Sequence, residues 1–315
     1  SCKMPSGNHK RLAQGFTLVE ALVALAVITI ISLLIMGAVG PWLGLKQNID
    51  TERKLQDIKQ GLVAYYNLNG MEIEARGGGQ FGPFTSGCSD QTAAFQELGT
   101  LFSESSAQIA KDGYMTHWCF FISSPLSRIV DGVEMWYRNV AVVSPGPDVT
   151  LAPGTLMDAE GALVLEGDDK GILLTGLDIH APKLKETMKR MNRLAAMYET
   201  YFTSRFMAYG DRDITRYYFS RAYDSGGAID STGGSWRAAA VLFAGAVSPT
   251  DAVTPYERDN AIEVGNHTES VGSLSVRSPA STGTGALPYT AILRARLPAP
   301  AGVDVFATHV VIGNY

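Results

Sequence analysis

An apolar run of thirty residues, Phe16 to Leu45, constrains this chain more than any other feature of its sequence. Glu20 is the one charged residue in the run, and a continuous helix of that length would exceed the roughly 30 Å hydrocarbon core of a bilayer. The run therefore predicts a segment that spans or anchors in a membrane. An unpaired carboxylate is costly in such a segment, so Glu20 is a candidate functional residue.

Basic residues precede the apolar run, and their position argues against an ordinary secretory signal. Lys3, Lys10 and Arg11 give residues 1–15 a charge of +3, which predicts that this end stays on the cytoplasmic side. A signal peptidase site would follow an apolar core of about 7–15 residues, whereas the small residue Gly15 precedes the core here. Cleavage after Gly15 would leave the hydrophobic helix on the mature protein and free the amine of Phe16.

The segment Gly15–Glu20 (GFTLVE) resembles the processing motif of type IV prepilins and of the pseudopilins of type II secretion. The resemblance implies that a prepilin peptidase cuts between Gly15 and Phe16 and methylates the new amine of Phe16. It also implies that Glu20 pairs with the N-terminal amine of a neighbouring subunit. The residues that follow, Ala21–Leu25, are more like those of minor pilins. An ordinary signal anchor with a chance match is the alternative.

The resemblance also implies a place in the cell. It predicts a single-pass protein of the inner membrane with a periplasmic head, which an assembly platform in that membrane builds into a pilus or pseudopilus. Its partners would be the membrane, prepilin peptidase and other pilin subunits, which it would contact through the N-terminal helix.

Charge and cysteine content support an extracytoplasmic head. The net charge of the 315 residues is −5, which leaves −8 once the basic leader is removed, so no nucleic-acid partner is expected. Of the three cysteines, Cys2 lies in the leader, and Cys88 and Cys119 remain as an even pair. An oxidising compartment favours a disulfide between them. A metal site is the weaker alternative, because no CxxC or clustered histidine accompanies them.

The order of predicted elements indicates an α+β fold. An apolar stripe, formed by Leu55, Ile58, Leu62 and Tyr65, extends the first helix to about Asn67, with a kink at Pro41 and a stop at Asn69-Gly70. Strand-like segments follow at Glu134–Val143, Ala162–Leu165 and Ile172–Leu177. This order predicts a long helix, transmembrane in its first half and amphipathic in its second, packed on an antiparallel sheet.

A second helix-plus-antiparallel-sheet unit is predicted from Ala181-Pro182, with Pro182 in the first turn of its helix. A shift of 133 residues places the first stripe on Met188, Met191, Ala195 and Tyr198. Tryptophan-led strands follow both helices, and the predicted strands are Trp136–Pro145, Trp236–Pro249, Val271–Val276, Tyr289–Arg296 and Val303–Ile312. We therefore predict a leader at 1–15, an assembly helix at 16–45 and head units at 46–180 and 181–315. One enlarged head with an inserted helix is the alternative.

The sequence contains no recognisable catalytic motif, because GxSxG and HExxH are missing and the five histidines are scattered. The chain is therefore predicted not to be an enzyme.

A group of carboxylates lies in turn-rich segments, and oxygen-rich loops of this kind suit Ca²⁺. Some pseudopilins bind calcium in a comparable loop. The alternative is that these carboxylates are ordinary solvated turn residues. The candidate calcium ligands are Asp148, Asp158, Glu160, Asp168 and Asp169.

The aromatic segment Tyr198–Tyr223, with interleaved arginines, indicates either a contact surface or the core of the second unit.

These observations together predict a minor type IV pilin without a cofactor other than the calcium considered above, placed at or near the fibre tip because its head is large. A pseudopilin of a type II secretion system is the alternative within the family. A membrane-anchored extracytoplasmic binding protein or enzyme is the alternative from another class.

Overall fold

The structure, a computed structural model, describes residues 18–219, 236–242, 247–265, 269–278 and 287–314. For residues 34–39 and 242 it describes the backbone alone. Gly15, Phe16 and Cys2 lie outside the described residues.

A single long helix, α1 (Leu18–Ala75, 58 residues), leads into the head. Pro41 lies inside α1, and the departure from helical geometry falls at Asn69 (φ −121°, ψ 23°) instead. The backbone dihedral angles stay helical at Pro41, so the helix is not interrupted there, and the predicted kink stays a prediction.

The end of α1 differs from the prediction. Asn69 distorts the helix without ending it, since its Nδ2 donates to the carbonyl of Tyr65 (3.0 Å) and the helix resumes to Ala75. Gly70 allows close packing there, because a Cβ at this position would lie 2.8 Å from the His180 ring. Burial of Ile73 and Glu74 continues the helix past a local stop signal, a case of tertiary packing overriding propensity.

The first part of the head is built on the second half of α1. Its elements in chain order are β1 (Gln80–Phe81), β2 (Phe84–Thr85), α2 (Thr92–Glu97), a 3₁₀ turn (Gly99–Leu101), α3 (Ser106–Ile109), β3 (Cys119–Ile122), β4 (Leu126–Val130), β5 (Val133–Tyr137), β6 (Asn139–Ser144), β7 (Leu156–Met157), β8 (Leu163–Val164) and β9 (Lys170–Thr175). Strands β3, β6 and β9 form an antiparallel sheet in the order β3-β6-β9. The predicted stripe from Leu55 to Tyr65 is buried against this part of the head. The α+β prediction is confirmed.

One predicted strand, Glu134–Val143, is two strands that separate at Arg138. Strand β5 pairs with β4 in a hairpin, whereas β6 pairs with β3 and β9. The split follows from the carbonyl of Arg138, which accepts the Gly176 N–H (3.0 Å) at the start of the next helix.

A second helix and sheet follow. Their elements are α4 (Gly176–Ala208), β10 (Trp236–Ala238), α5 (Ala239–Leu242), β11 (Ile262–Gly265), β12 (Ser270–Val271), β13 (Leu274–Ser275), β14 (Tyr289–Arg296) and β15 (Phe306–Gly313). The sheet is antiparallel in the order β10-β11-β14-β15, and α4 packs on β14 and β15. Helix α4 and this antiparallel sheet together correspond to the predicted second helix-plus-antiparallel-sheet unit.

Several predicted bounds in this part need correction. Helix α4 begins at Gly176 rather than Ala181, so Pro182 lies inside the helix. The strand predicted at Trp236–Pro249 ends at Ala238, because Ala239 begins the short α5. The segment Val271–Val276 contains a hairpin turn at Gly272 (φ +57°) rather than a strand. Strand β14 has the predicted bounds.

Side chains from the first part of the head pack into the hydrophobic core of the second part. One hydrophobic cluster surrounds α1 and β6, and the other surrounds α4, β14 and β15. Met135 of the β4–β5 hairpin is buried in the second cluster, and Val130, Val133 and Met71 pack against it. The hairpin thereby joins the first part of the chain to the core of the second. The unit boundary at 180/181 stays a prediction.

Candidate functional site: the N-terminal helix and its junction with the head

The first half of α1 presents apolar side chains on its whole circumference. Leu18, Leu25 and Leu33 are each more than 60% exposed, and large apolar residues stay exposed as far as Ile49. From Thr51 onward the helix instead alternates buried and exposed residues against the head. A helix that is apolar all round needs other helices or lipid around it, so this half is the candidate assembly surface.

Glu20 lies on this surface, in the first turn of α1, and its side chain is exposed. A carboxylate at this position is favoured by the partial positive charge at a helix N-terminus. Its predicted counterpart is the N-terminal amine of a neighbouring subunit. Phe16, which would carry that amine in each chain, and the predicted cleavage bond after Gly15 lie outside the described residues.

In the part of the chain whose side chains are described, which leaves out 34–39, no helix is long and apolar enough to cross a membrane.

The disulfide between Cys88 and Cys119 is present, as predicted. It fastens the loop before α2 to the first residue of β3. Beside it, the Gly87 N–H donates to the Phe120 carbonyl (2.8 Å), and the Phe120 N–H donates to the Gly87 carbonyl (3.0 Å). The pairing excludes the alternative in which these cysteines are metal ligands.

The carboxylates proposed for calcium act separately as hydrogen-bond acceptors. Asp148 accepts the Thr150 N–H (2.9 Å), and Asp158 accepts the Ala162 N–H (2.7 Å). Asp169 is buried and accepts from the Ala152 N–H and the Thr155 hydroxyl. Among the described residues, no three His, Cys, Asp or Glu side chains are grouped to hold a metal ion. Calcium binding stays a prediction without a ligand set.

The aromatic segment Tyr198–Tyr223 belongs to the core as far as it is described, since its last residues, 220–223, are not. Six of its aromatic residues are almost fully buried in the second cluster: Tyr198, Phe202, Phe206, Tyr217, Tyr218 and Phe219. Arg205 stacks on the Tyr201 ring and donates to the Tyr218 carbonyl (2.8 Å). The packing supports the core interpretation over a contact surface.

A buried polar cluster at the junction of the two parts was missed by sequence reasoning. We call it the Glu74 cluster: Glu74, Tyr66, Arg138 and His180. Each of these four side chains is at most 1% exposed. Glu74 Oε1 accepts from the Tyr66 hydroxyl, from the Arg138 backbone N–H (3.2 Å) and from His180 Nε2 (3.2 Å).

The charge of Glu74 is balanced by Arg138. The guanidinium Nε lies 3.8 Å from Glu74 Oε2, and its terminal nitrogens donate to the carbonyls of Arg76 and Gly77. Burial, together with the adjacent carboxylate, raises the pKa of Tyr66 well above its usual range. The cluster ties α1 to the β5–β6 link and to α4. A carboxylate beside Ile73 at the end of an apolar stripe was the one available signal.

Comparison with known families finds one match. The family described as the prokaryotic N-terminal methylation motif matches residues 10–36, which include Gly15, Phe16 and Glu20. Neither a curated protein nor a solved structure matches the chain. The matched segment implies processing by a prepilin peptidase and assembly into a pilus-like polymer. Residues 10–36 therefore carry the N-terminal methylation motif that supports a type IV prepilin-like class, which includes pilins and pseudopilins.

Proposed function

We propose that the chain is a minor type IV pilin, a structural subunit cut between Gly15 and Phe16, methylated at Phe16 and built into a pilus. The observation that carries the proposal is the methylation motif at the start of a helix whose first half is exposed and apolar and whose second half is packed in the head. That arrangement supplies an anchor before assembly and a rod afterwards.

The exposed half of α1 would lie first in the inner membrane, with the head in the periplasm, and then among the same helices of other subunits. Lipid and neighbouring helices are equally apolar, so transfer between them gains little from the hydrophobic effect. Helix packing and polar pairing must direct it instead. An assembly platform in the membrane would drive the transfer.

Glu20 would supply the polar pairing. Its carboxylate would accept a charge-assisted hydrogen bond from the N-terminal amine of the next subunit, which is strong where water is excluded. Because it lies in the first turn of α1, one contact of this kind would set the position of each subunit along its neighbour.

The size of the head favours a place at or near the tip of the fibre. The segment from α4 to β15 adds a second helix and a four-stranded sheet to the part that packs on α1. Such a head would hinder close lateral packing of many copies along a shaft. At a tip, one copy could begin assembly or contact a surface.

The pairing role is tested with Glu20→Ala. We expect the variant to stay in the membrane fraction and to be strongly depleted from sheared fibres. Thr29→Val is the matched control, because the Thr29 hydroxyl is bonded to Leu25 of its own helix (2.7 Å) and its loss should leave assembly intact. Normal incorporation of Glu20→Ala would disprove the pairing role.

The processing step is tested with Gly15→Val, which should leave the basic leader attached. N-terminal sequencing of the native chain should begin at Phe16. An uncut native chain in cells that contain the peptidase would instead favour a membrane-anchored binding protein or enzyme. Labelling of the head on intact fibres separates tip from shaft, and fibres confined to the periplasm would favour the pseudopilin alternative.

A further inference from the structure

A cleft of about 510 Å³ opens where the two parts of the head meet, away from α1. Three structural pieces form its walls: the turn of the β4–β5 hairpin, the turn of the β12–β13 hairpin and the paired strands β14 and β15. A second cleft of about 380 Å³ adjoins it and shares Arg294, Asp304 and Phe306. The volume of each cleft lies within the range of small-molecule sites, roughly 300–1,000 Å³.

Arg294 is held rigidly in this cleft. Its guanidinium carbon lies 3.9 Å from the centre of the Trp236 ring and 4.6 Å from that of Phe306, and its Nε donates to Glu263 (2.7 Å). Gly265 makes room for the Trp236 ring, since a Cβ there would lie 2.6 Å from it. The terminal nitrogens of Arg294 have no hydrogen-bond partner among the described residues. A donor fork fixed in this way loses little side-chain entropy on binding a ligand.

Acceptors and apolar groups line the same cleft. Glu134 is exposed in the hairpin wall, and Asp304 on the opposite side is paired with Arg296 (2.9 Å). Val271 and Phe306 supply apolar contact. Across both clefts four acidic residues, Glu134, Asp259, Glu263 and Asp304, outnumber Arg294 and Arg296 by two, so the clefts do not favour an anion. Glu263 is paired with Arg294 and Asp304 with Arg296, which weakens the field that would attract a cation.

We infer that this cleft binds a neutral saccharide unit. Hydroxyl groups of a sugar both donate and accept, so one hydroxyl can accept from the Arg294 fork while another donates to Glu134. The C–H faces of a sugar ring pack on apolar side chains such as Phe306 and Val271. Glu134 belongs to the first part of the head and Arg294 to the second, so the site exists only where the two parts are joined.

The inference is independent of the proposed assembly role, because none of the cleft residues lies on α1. Its test is titration of the full chain, in a detergent without a sugar headgroup, with glucose, galactose, mannose and N-acetylglucosamine, each followed by tryptophan fluorescence. Glucuronate and glucosamine serve as anionic and cationic probes. We expect saturable binding of at least one neutral sugar and a signal from Trp236, which stacks on Arg294.

Two substitutions locate the site. Arg294→Gln should weaken binding at least tenfold, which corresponds to about 1.4 kcal/mol, and Glu134→Gln should weaken it about fivefold, or about 1 kcal/mol. Arg128→Gln is the matched control, because Arg128 is exposed on the same hairpin and does not line the cleft. If Arg294→Gln alters the thermal unfolding curve, the decision rests on Glu134→Gln.

The inference is overturned if no neutral sugar gives a saturable signal, or if glucuronate or glucosamine alone binds. It is also overturned if both cleft variants bind the sugar as tightly as the Arg128→Gln control.

Discussion

Replacement of Glu74 tests whether the Glu74 cluster holds the two parts of the head together. Glu74→Met would remove the acceptor of the Tyr66 hydroxyl and of His180 Nε2. It would also leave the guanidinium of Arg138, which is 1% exposed, without its carboxylate. Removal of one partner from a buried ion pair costs about 3–5 kcal/mol, because the other charge stays buried. That loss is a large share of a typical stability of roughly 5–15 kcal/mol.

The matched control is Glu72→Gln on the same helix. Glu72 pairs with Arg76 one helical turn away, but the Glu72 side chain is 55% exposed and that of Arg76 is 38% exposed, so the change should cost well under 1 kcal/mol, about 0.3–0.5 kcal/mol. The assay is urea denaturation of the full chain in detergent micelles, followed by tryptophan fluorescence. Trp118 is buried in the first cluster and Trp236 packs against the second, so both parts of the head contribute to the signal.

The double variant Glu74→Met/Arg138→Met decides whether charge is the cause. It removes both buried charges, so its cost should be less than the sum of the two single costs by about 1–3 kcal/mol. Additive costs would refute the reasoning, since they would mean that the carboxylate and the guanidinium do not interact. A cost for Glu74→Met no greater than that of Glu72→Gln would also refute it.

Three further predictions concern the head. Serine at both Cys88 and Cys119 should lower the free energy of unfolding by about 3–4 kcal/mol, the chain-entropy value for a 31-residue separation, measured by urea denaturation against the oxidised native chain. Gly113→Ala should destabilise the head, because its Cβ would overlap the Gln47 carbonyl of α1, whereas Gly99→Ala meets nothing within 4 Å; thermal unfolding compares the two. Burial raises the pKa of both Tyr66 and Tyr256, so their stabilising contribution is complete below pH 10 and falls above it, by about 1.4 kcal/mol per pH unit for each tyrosine. Urea midpoints on either side of pH 10 measure that fall, and an unchanged midpoint would contradict it.

Local sequence patterns were sufficient for the elements whose environment is set by their own periodicity. The stripe from Leu55 to Tyr65 predicted the buried face of α1, and the strand-like segment Tyr289–Arg296 predicted β14 with its bounds. The even pair Cys88 and Cys119 predicted the disulfide. In each of these cases the residue types alone indicate which side is buried or bonded.

Element ends were less predictable, because they depend on contacts with distant residues. Helix α1 passes Asn69 since Ile73 and Glu74 are buried beyond it, and α4 begins early since the Gly176 N–H meets the Arg138 carbonyl. The strand predicted at Glu134–Val143 divides for the same reason. No local pattern contains this information.

The sequence by itself determined the N-terminal motif, the apolar helix with Glu20, the α+β class and the disulfide, because each follows from residues close in sequence or from an even cysteine count. The tertiary structure decided where the remaining charges lie. It brought Glu74 to Arg138 and to His180, which are 64 and 106 residues away, and it placed Glu134 across a cleft from Arg294. The physical reason is that a buried charge is stable only beside its partner, and the chain between the partners does not indicate which residue that partner is.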